Sequence, residues 1–311
     1  MPDLHFRLFG KFAAVCDKRP LKGLDAGKDQ ELLSFLLIRR SQPHSREALA
    51  AMLWGENSTE RSKKYLRQSL WHLQAVLDSS PEQAGPLLIE HDWLRVNPAN
   101  QPWSDVEEFE QAFATAEGTA GQRLNQTQAQ QLKTGISLYH DDLLAGWYQD
   151  WVLFERERLQ NKFLLMLDKL IAYSQAQQEY ELGQSYAQRI LEYDPARERT
   201  HRELMQLFYL AGDRTSALRQ YERCVGALDR ELDVRPERQT TGLYEQMKSD
   251  RYQPAEPDSG PLNGNGSSRS VSNDIISCLK NIQAMLAVVQ QHIQRDIRTV
   301  ECLPQTEKDE F

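Results

Sequence analysis

Apolar residues alternate at the start of the chain, at Leu4, Phe6 and Leu8. They continue through Phe9-Gly10-Lys11-Phe12 and Val15 to a turn near Asp17-Lys18-Arg19-Pro20. A period of two predicts short strands. From Asp29 to Arg39 the spacing becomes helical, with Leu32, Leu33, Phe35, Leu36 and Leu37 as the apolar body. Ser45 then reads as the N-cap of a second helix, in which Ala48, Leu49, Met52 and Leu53 lead to Trp54 before Gly55 ends it. A third, longer helix is predicted from about Thr59 to Asp78, with Leu66, Leu70, Leu73 and Leu77 on its buried side. Next comes a hairpin, in which Leu87-Leu88-Ile89-Glu90 turns at His91-Asp92 into Trp93-Leu94-Arg95-Val96. Strands, three helices and a closing hairpin outline a winged helix-turn-helix over residues 1–98.

The polar side of the third helix carries Arg61, Lys64, Gln68, Trp71, His72 and Ala75, with Lys63 and Arg67 on one flank. No acidic residue lies between Arg61 and Leu77. Arg, Lys and Gln pair with phosphates and with purine edges, and the major groove admits one helix. The same face would also serve as an ordinary solvated surface. Its place as the third helix, just ahead of a hairpin, favours DNA.

From Ser104 to about Asp250 the pattern is almost wholly helical, and residues 104–250 read as a second domain. Candidate helices run from Asp105 to Glu117, Thr127 to Asp142, Trp151 to Gln175, Glu179 to Glu192, Ala196 to Ala211, Arg214 to Asp229 and Arg235 to Lys248. An offset of 34 residues aligns Leu170 with Leu204, Gly183 with Ala217, Ala187 with Tyr221 and Ile190 with Cys224. That is the tetratricopeptide period, in which small residues let paired helices approach closely. A generic helical bundle is the alternative, since Pro195 has no counterpart at 229.

Residues 251–270 are rich in Pro, Gly, Ser and Asn, which marks a flexible linker. Beyond it, residues 271–303 form a predicted amphipathic helix. Ile275, Leu279, Ile282, Leu286, Val289 and Ile293 recur at alternating spacings of four and three, a heptad seam that fails after Ile293. Such a stripe needs a partner, either a second copy of the chain or a docking surface. Self-association, and hence a homo-oligomer, is the favoured expectation. The expected fold class is therefore mainly α: an α+β winged helix, an all-α tetratricopeptide-like domain and a coiled-coil-like helix.

Charge sharpens the assignment of a DNA-binding end. The chain's net charge is -8, yet residues 1 to 97 sum to +2 and the remainder to -10. The first third is where DNA would dock, through local clustering rather than bulk charge. No apolar run is long enough to span a bilayer and the N-terminus lacks a signal-peptide layout, so a cytoplasmic protein without membrane contact is expected. The four cysteines, Cys16, Cys224, Cys278 and Cys302, form no C-x-x-C pair.

A search for catalytic chemistry returns little. Gly23-Leu24-Asp25-Ala26-Gly27-Lys28-Asp29 is one residue short of a phosphate loop and has Asp29 where Ser or Thr should bind magnesium. His140-Asp141-Asp142 and the Asp105, Glu107, Glu108 group read as solvated helix faces, and Trp147, Tyr148, Trp151 and Phe154 as core. Neither an H-E-x-x-H nor a G-x-S-x-G motif occurs. An enzyme, a metal and a cofactor are all unsupported.

Several of these stretches together resemble a known family. Leu8-Phe9-Gly10-Lys11-Phe12, Pro43-His44-Ser45-Arg46-Glu47-Ala48-Leu49 leading to Leu53-Trp54, Leu66-Arg67-Gln68-Ser69-Leu70-Trp71-His72-Leu73 and Leu94-Arg95-Val96-Asn97-Pro98 are similar to the OmpR-type winged helix of the Streptomyces antibiotic regulatory protein family. Asp105-Val106-Glu107-Glu108-Phe109, Leu138-Tyr139, Trp151 to Leu159, Arg197 to Met205 and Tyr209-Leu210-Ala211-Gly212-Asp213 resemble the bacterial transcriptional activator domain that follows it in that family. The resemblance implies an activator that binds direct repeats in double-stranded DNA near promoters and contacts RNA polymerase. Carried over, Arg61, Lys63, Lys64, Arg67, Gln68 and His72 become candidate DNA contacts of the recognition helix, with Trp71 against the backbone and Arg95 on the wing. Gly55, Glu56, Asn57 and Ser58 match the loop that meets polymerase. No receiver domain precedes the winged helix and no ATPase follows the helical domain, so control by phosphorylation or ATP is not expected. The rival from another class is a tetratricopeptide-type protein-interaction adaptor that does not bind specific DNA.

Overall fold

The computed structural model describes residues 4–77 and 85–253. The described residues belong to one compact unit. The heptad residues Ile275, Leu279, Ile282, Leu286, Val289 and Ile293 lie outside the described residues, as does nearly all of the predicted linker.

Strands β1 (Leu4–Arg7), β2 (Ala13–Cys16) and β3 (Arg19–Pro20) form an antiparallel meander. The predicted alternation holds in β1, where Leu4 and Phe6 are buried and Arg7 is exposed. The β2–β3 turn places both Asp17 and Lys18 at positive φ, as a two-residue hairpin of matching twist requires. Helices α1 (Gly27–Ile38), α2 (Arg46–Trp54) and α3 (Thr59–Leu77) follow. Before α2 lies β4 (His44–Ser45), and after α3 come β5 (Leu87–Ile89) and β6 (Trp93–Val96). Hairpin β5–β6 forms around the turn predicted at His91-Asp92, with Leu87 opposite Val96 and Ile89 opposite Leu94, and β4 joins its outer edge. Ser45 caps α2 as predicted, its side chain accepting from the Ala48 N–H. These elements make a winged helix-turn-helix, in which Leu66, Leu70, Leu73 and Leu77 of α3 face the core.

The first strand does more than begin this module. Strand β7 (Trp103–Ser104), directly ahead of α4 (Asp105–Thr115), pairs with it in parallel. The following residues then thread into the helical region. Gly10 N–H donates to the Asp142 carbonyl at 2.8 Å, Leu144 N–H to the Leu8 carbonyl at 2.8 Å and Ala145 N–H to the Gly10 carbonyl at 2.7 Å. Gly10 has φ +83°, and a Cβ there would meet His140 Nε2 at 3.3 Å, so glycine answers both the turn and the close approach. The Phe9 ring packs 5.3 Å from Phe109 and 4.8 Å from Tyr139, deep among the helices. One hydrophobic core runs from Leu4 to Leu207 across the boundary predicted near residue 100.

Asp105 explains how that junction holds, and it corrects the expectation of a solvated face. Its carboxylate is 3% exposed and accepts from the N–H groups of Leu8 (2.9 Å), Phe9 (3.0 Å) and Val106 (2.8 Å). Burial pushes this carboxyl up from the usual range, against the pull of the three N–H donors. Glu108, in the same acidic run, is exposed as expected. The aromatic cluster also divides. Trp147 stacks on Phe12, while Trp151 packs edge-on to Phe35 and donates from Nε1 to Glu31 at 3.1 Å. Tyr148 and Phe154 are instead 77% and 60% exposed. The buried stripe of α6 (Asp150–Ala176) runs through Val152, Glu155, Leu159 and Phe163, which leaves Phe154 on the far side.

Helix α5 (Gln126–Leu138) opens with a full capping box, Asn125 with Gln128. After it and α6, helices α7 (Tyr180–Tyr193), α8 (Glu198–Leu210), α9 (Arg214–Leu232) and α10 (Arg238–Lys248) pack in succession. Gly183 of α7 meets Leu207 of α8, where an added Cβ would lie 3.1 Å from its methyls. Of the pairs aligned by the 34-residue offset, Leu170 with Leu204, Gly183 with Ala217 and Ile190 with Cys224 are buried on both sides, whereas buried Ala187 is matched by a half-buried Tyr221. His201 of α8 is held neutral between Pro195 and Gln220: one ring nitrogen donates to the Pro195 carbonyl at 2.9 Å and the other accepts from Gln220 at 2.7 Å. Burial lowers its pKa. The unfolded chain therefore gains this proton first, near the ordinary value of about 6.5, and the group's contribution to stability is complete above that pH and falls below it. Thermal melts at about pH 7.5 and about pH 5.5 should show a smaller drop for His201→Gln than for the native chain.

Candidate nucleic-acid interface

The burial pattern of α3 decides which of its side chains are free to touch a partner. Ser62 donates to the Trp54 carbonyl at 2.8 Å, fastening the start of α3 to the end of α2. With Ser62, Leu66, Ser69, Leu70 and Leu73 turned inward, Arg61, Lys63, Lys64, Arg67, Gln68 and Trp71 are all exposed. Trp71 is 73% exposed, an unusual position for an indole without a partner. Lys64, Arg67, Gln68, Trp71 and His72 line one open groove along the helix.

The predicted site residues are not electrostatically equivalent. Lys63 is paired with Glu47 of α2 at 2.9 Å. Arg61, Lys64 and Arg67 have no ion pair among the described residues. His72 is half-buried, its Nδ1 lying 2.5 Å from Oδ2 of Asp29 on α1. Arg95 leans onto its own hairpin, donating to Glu90 at 3.3 Å. At the wing tip His91 pairs with Asp92 at 2.8 Å, and both are exposed. Three acidic partners escaped the sequence reading: Asp29, Glu47 and Glu90. Only their helical or cross-hairpin neighbours identify them, and those come from three separate elements. The net charge available to an anion is thus concentrated on Arg61, Lys64 and Arg67.

Residues Gly55 to Ser58 are all exposed between α2 and α3, in a turn closed by Asn57 N–H donating to the Trp54 carbonyl at 3.0 Å. The wing is braced against α2, since Arg46 N–H donates to the Asp92 carbonyl at 2.9 Å and its guanidinium to the His91 carbonyl at 3.3 Å. Behind the interface, Arg39 at the end of α1 pairs with the buried Glu155 of α6, which Arg158 also holds at 2.6 Å. Arg40 donates to Ser104 at 2.9 Å and to the Pro102 carbonyl at 3.2 Å. The winged helix is therefore clamped to the helical region by charge as well as by core. No group of three or more metal-ligating side chains occurs among the described residues. Nor is any described helix long and apolar enough to cross a membrane.

Residues 104–248 match the family model of the bacterial transcriptional activator domain. The chain carries that domain. The winged helix in front of it and the domain itself stand in the order that the sequence resemblance implied. Among solved structures, the chain is similar to Mycobacterium tuberculosis EmbR, captured in complex with a low-affinity phosphopeptide. The TM-score is 0.63 at 18% identity, covering 90% of this chain and 72% of that one. At that identity the likeness concerns the fold, a winged helix followed by helical repeats. No curated protein sequence matches the chain. The activator domain begins at Ser104, one residue before the Asp105 that binds the Leu8 and Phe9 amides, so its first helix turn belongs to both halves of the molecule.

Proposed function

We propose that this chain is a transcriptional regulator of the Streptomyces antibiotic regulatory protein type, that it binds specific double-stranded DNA, as direct repeats near promoters, with α3 in the major groove, and that it activates transcription by contacting RNA polymerase. The observation that carries the reading is the exposed face of α3. There Arg61, Lys64 and Arg67 lack acidic partners among the described residues, and Gln68 and Trp71 stand between them. Phosphate contacts from such cations position a helix, and an amide such as Gln68 reads an adenine edge. Trp71 packs on the backbone, and Lys63, partly neutralised by Glu47, contributes less than Lys64. Arg95 and the wing supply a weak contact, since Glu90 and Asp92 offset their charge. Loop residues Gly55, Glu56, Asn57 and Ser58 are the polymerase contact in this scheme. Self-association through the heptad seam would bring two modules to adjacent repeats. The work is that of a cytoplasmic, non-enzymatic protein that needs no cofactor.

Two substitutions test the assignment. Gln68→Ala should relax preference at a single base pair, costing about 1 to 3 kcal/mol there. Lys64→Ala should weaken binding uniformly and lower the salt slope by about one. Operator affinity unchanged by both, measured by titration at several salt concentrations, would refute the recognition-helix role. The acidic helical repeats and the modest charge of the first module favour one rival, an adaptor that binds protein through both halves. An adaptor would lose no DNA affinity steeply with salt.

A further inference from the structure

Among the described residues, Asp29 is a buried carboxylate paired with a side chain of the exposed face of α3. It sits in the first turn of α1, 5% exposed, with its N–H bonded to the Ala26 carbonyl at 3.0 Å. The preceding loop packs Gly23 against Val76, where a Cβ would lie 3.2 Å from a methyl, so α1 starts beside the C-terminal half of α3. Its Oδ2 then lies 2.5 Å from Nδ1 of His72. An ionised carboxylate only accepts, so Nδ1 of that ring must carry the hydrogen. In the neutral imidazole this leaves Nε2 with a lone pair, on a side chain that is 39% exposed and lines the groove with Gln68 and Trp71.

We propose that Asp29 is a positioning residue that fixes His72 as a hydrogen-bond acceptor for a base, so that the Asp29–His72 pair selects adenine or cytosine at one operator position. The inference rests on the DNA-binding reading above. In the major groove adenine and cytosine present exocyclic amino donors, whereas guanine and thymine present acceptors that would face the Nε2 lone pair unfavourably. His72 follows Gln68 by one turn, a rise of about 6 Å, which corresponds to about two base steps of 3.4 Å. The selected base therefore lies about two pairs from the one that Gln68 reads. Without Asp29 the ring is free to carry its hydrogen on Nε2, and the acceptor becomes a donor.

The test uses the full-length chain at about pH 8. Long-range proton–nitrogen NMR, with His72 assigned by its loss in His72→Gln, should show the hydrogen on Nδ1 in the native chain and the loss of that signature in Asp29→Ala. Selection from random DNA should then show discrimination at one base pair falling about five- to tenfold in Asp29→Ala, with the salt slope unchanged. In the His72→Gln background, whose substitution lies on the exposed side of α3, Asp29→Ala should alter no base preference further. Three results overturn the proposal alone: the hydrogen found on Nε2 in the native chain, a uniform loss of affinity across sequences, or a further change in the His72→Gln background. A native chain that selects no sequence overturns it together with the DNA-binding reading.

Discussion

Asp105→Ala is expected to lower the stability of the folded chain by about 2 to 5 kcal/mol, because it strands the buried N–H groups of Leu8 and Phe9 at about 1 to 3 kcal/mol each. Both amides belong to the segment that threads from the winged helix into the helical region, so the loss falls on the junction itself. Neighbouring backbone bonds from Gly10 to Asp142 and from Leu144 to Leu8 depend on the same alignment. Asp105→Asn should cost less, since one oxygen still accepts while the amide nitrogen faces an N–H. Glu108→Ala, in the same acidic run but exposed, should stay within about 0.5 kcal/mol of the native chain. Urea unfolding followed by circular dichroism separates the three. Equal, small losses for all of them would mean that Asp105 does not hold the junction.

The second large effect is expected on DNA affinity. Reversing charge at Lys64 and Arg67 together should lower affinity by about 100-fold near 0.1 M salt and reduce the dependence of log affinity on log salt by about two. Both side chains are exposed and neither has an ion pair among the described residues, so the exchange leaves the fold intact. Lys63→Ala should have the smaller effect, because that ammonium already meets Glu47. Fluorescence anisotropy on a fixed duplex across a salt series reads both quantities. An unchanged slope would place the phosphate contacts elsewhere on the molecule.

The contrast between Asp105 and Glu108 also shows what the sequence makes legible. Periodicity located the helices and the wing hairpin closely: Asp29 to Arg39 became Gly27–Ile38, and Leu87 to Val96 formed a hairpin around the turn at His91-Asp92. Local spacing determines such elements, since strand and helix periods depend on near neighbours. It carries no information about partners distant in the chain. Asp105 reads as a surface acid until β7 brings it beneath Leu8, 97 residues away. Phe154 reads as core until Val152, Glu155 and Leu159 define which side of α6 is inward. The candidate interface follows the same rule. The cationic face of α3 was visible in one helix, whereas the partners Asp29, Glu47 and Glu90, which grade its residues, come from α1, α2 and the wing. His72 changes most in meaning, from one of several polar residues to a ring held by a carboxylate 43 residues earlier.

The central claim, that α3 reads DNA sequence, is tested most directly by selecting bound sequences from a random DNA pool with the purified full-length chain at two salt concentrations. The account predicts recovery of a direct repeat spaced by about one helical turn, 10 to 10.5 base pairs, with weaker retention at the higher salt. No enrichment at either salt would contradict it and leave the protein-binding adaptor as the standing explanation of the fold.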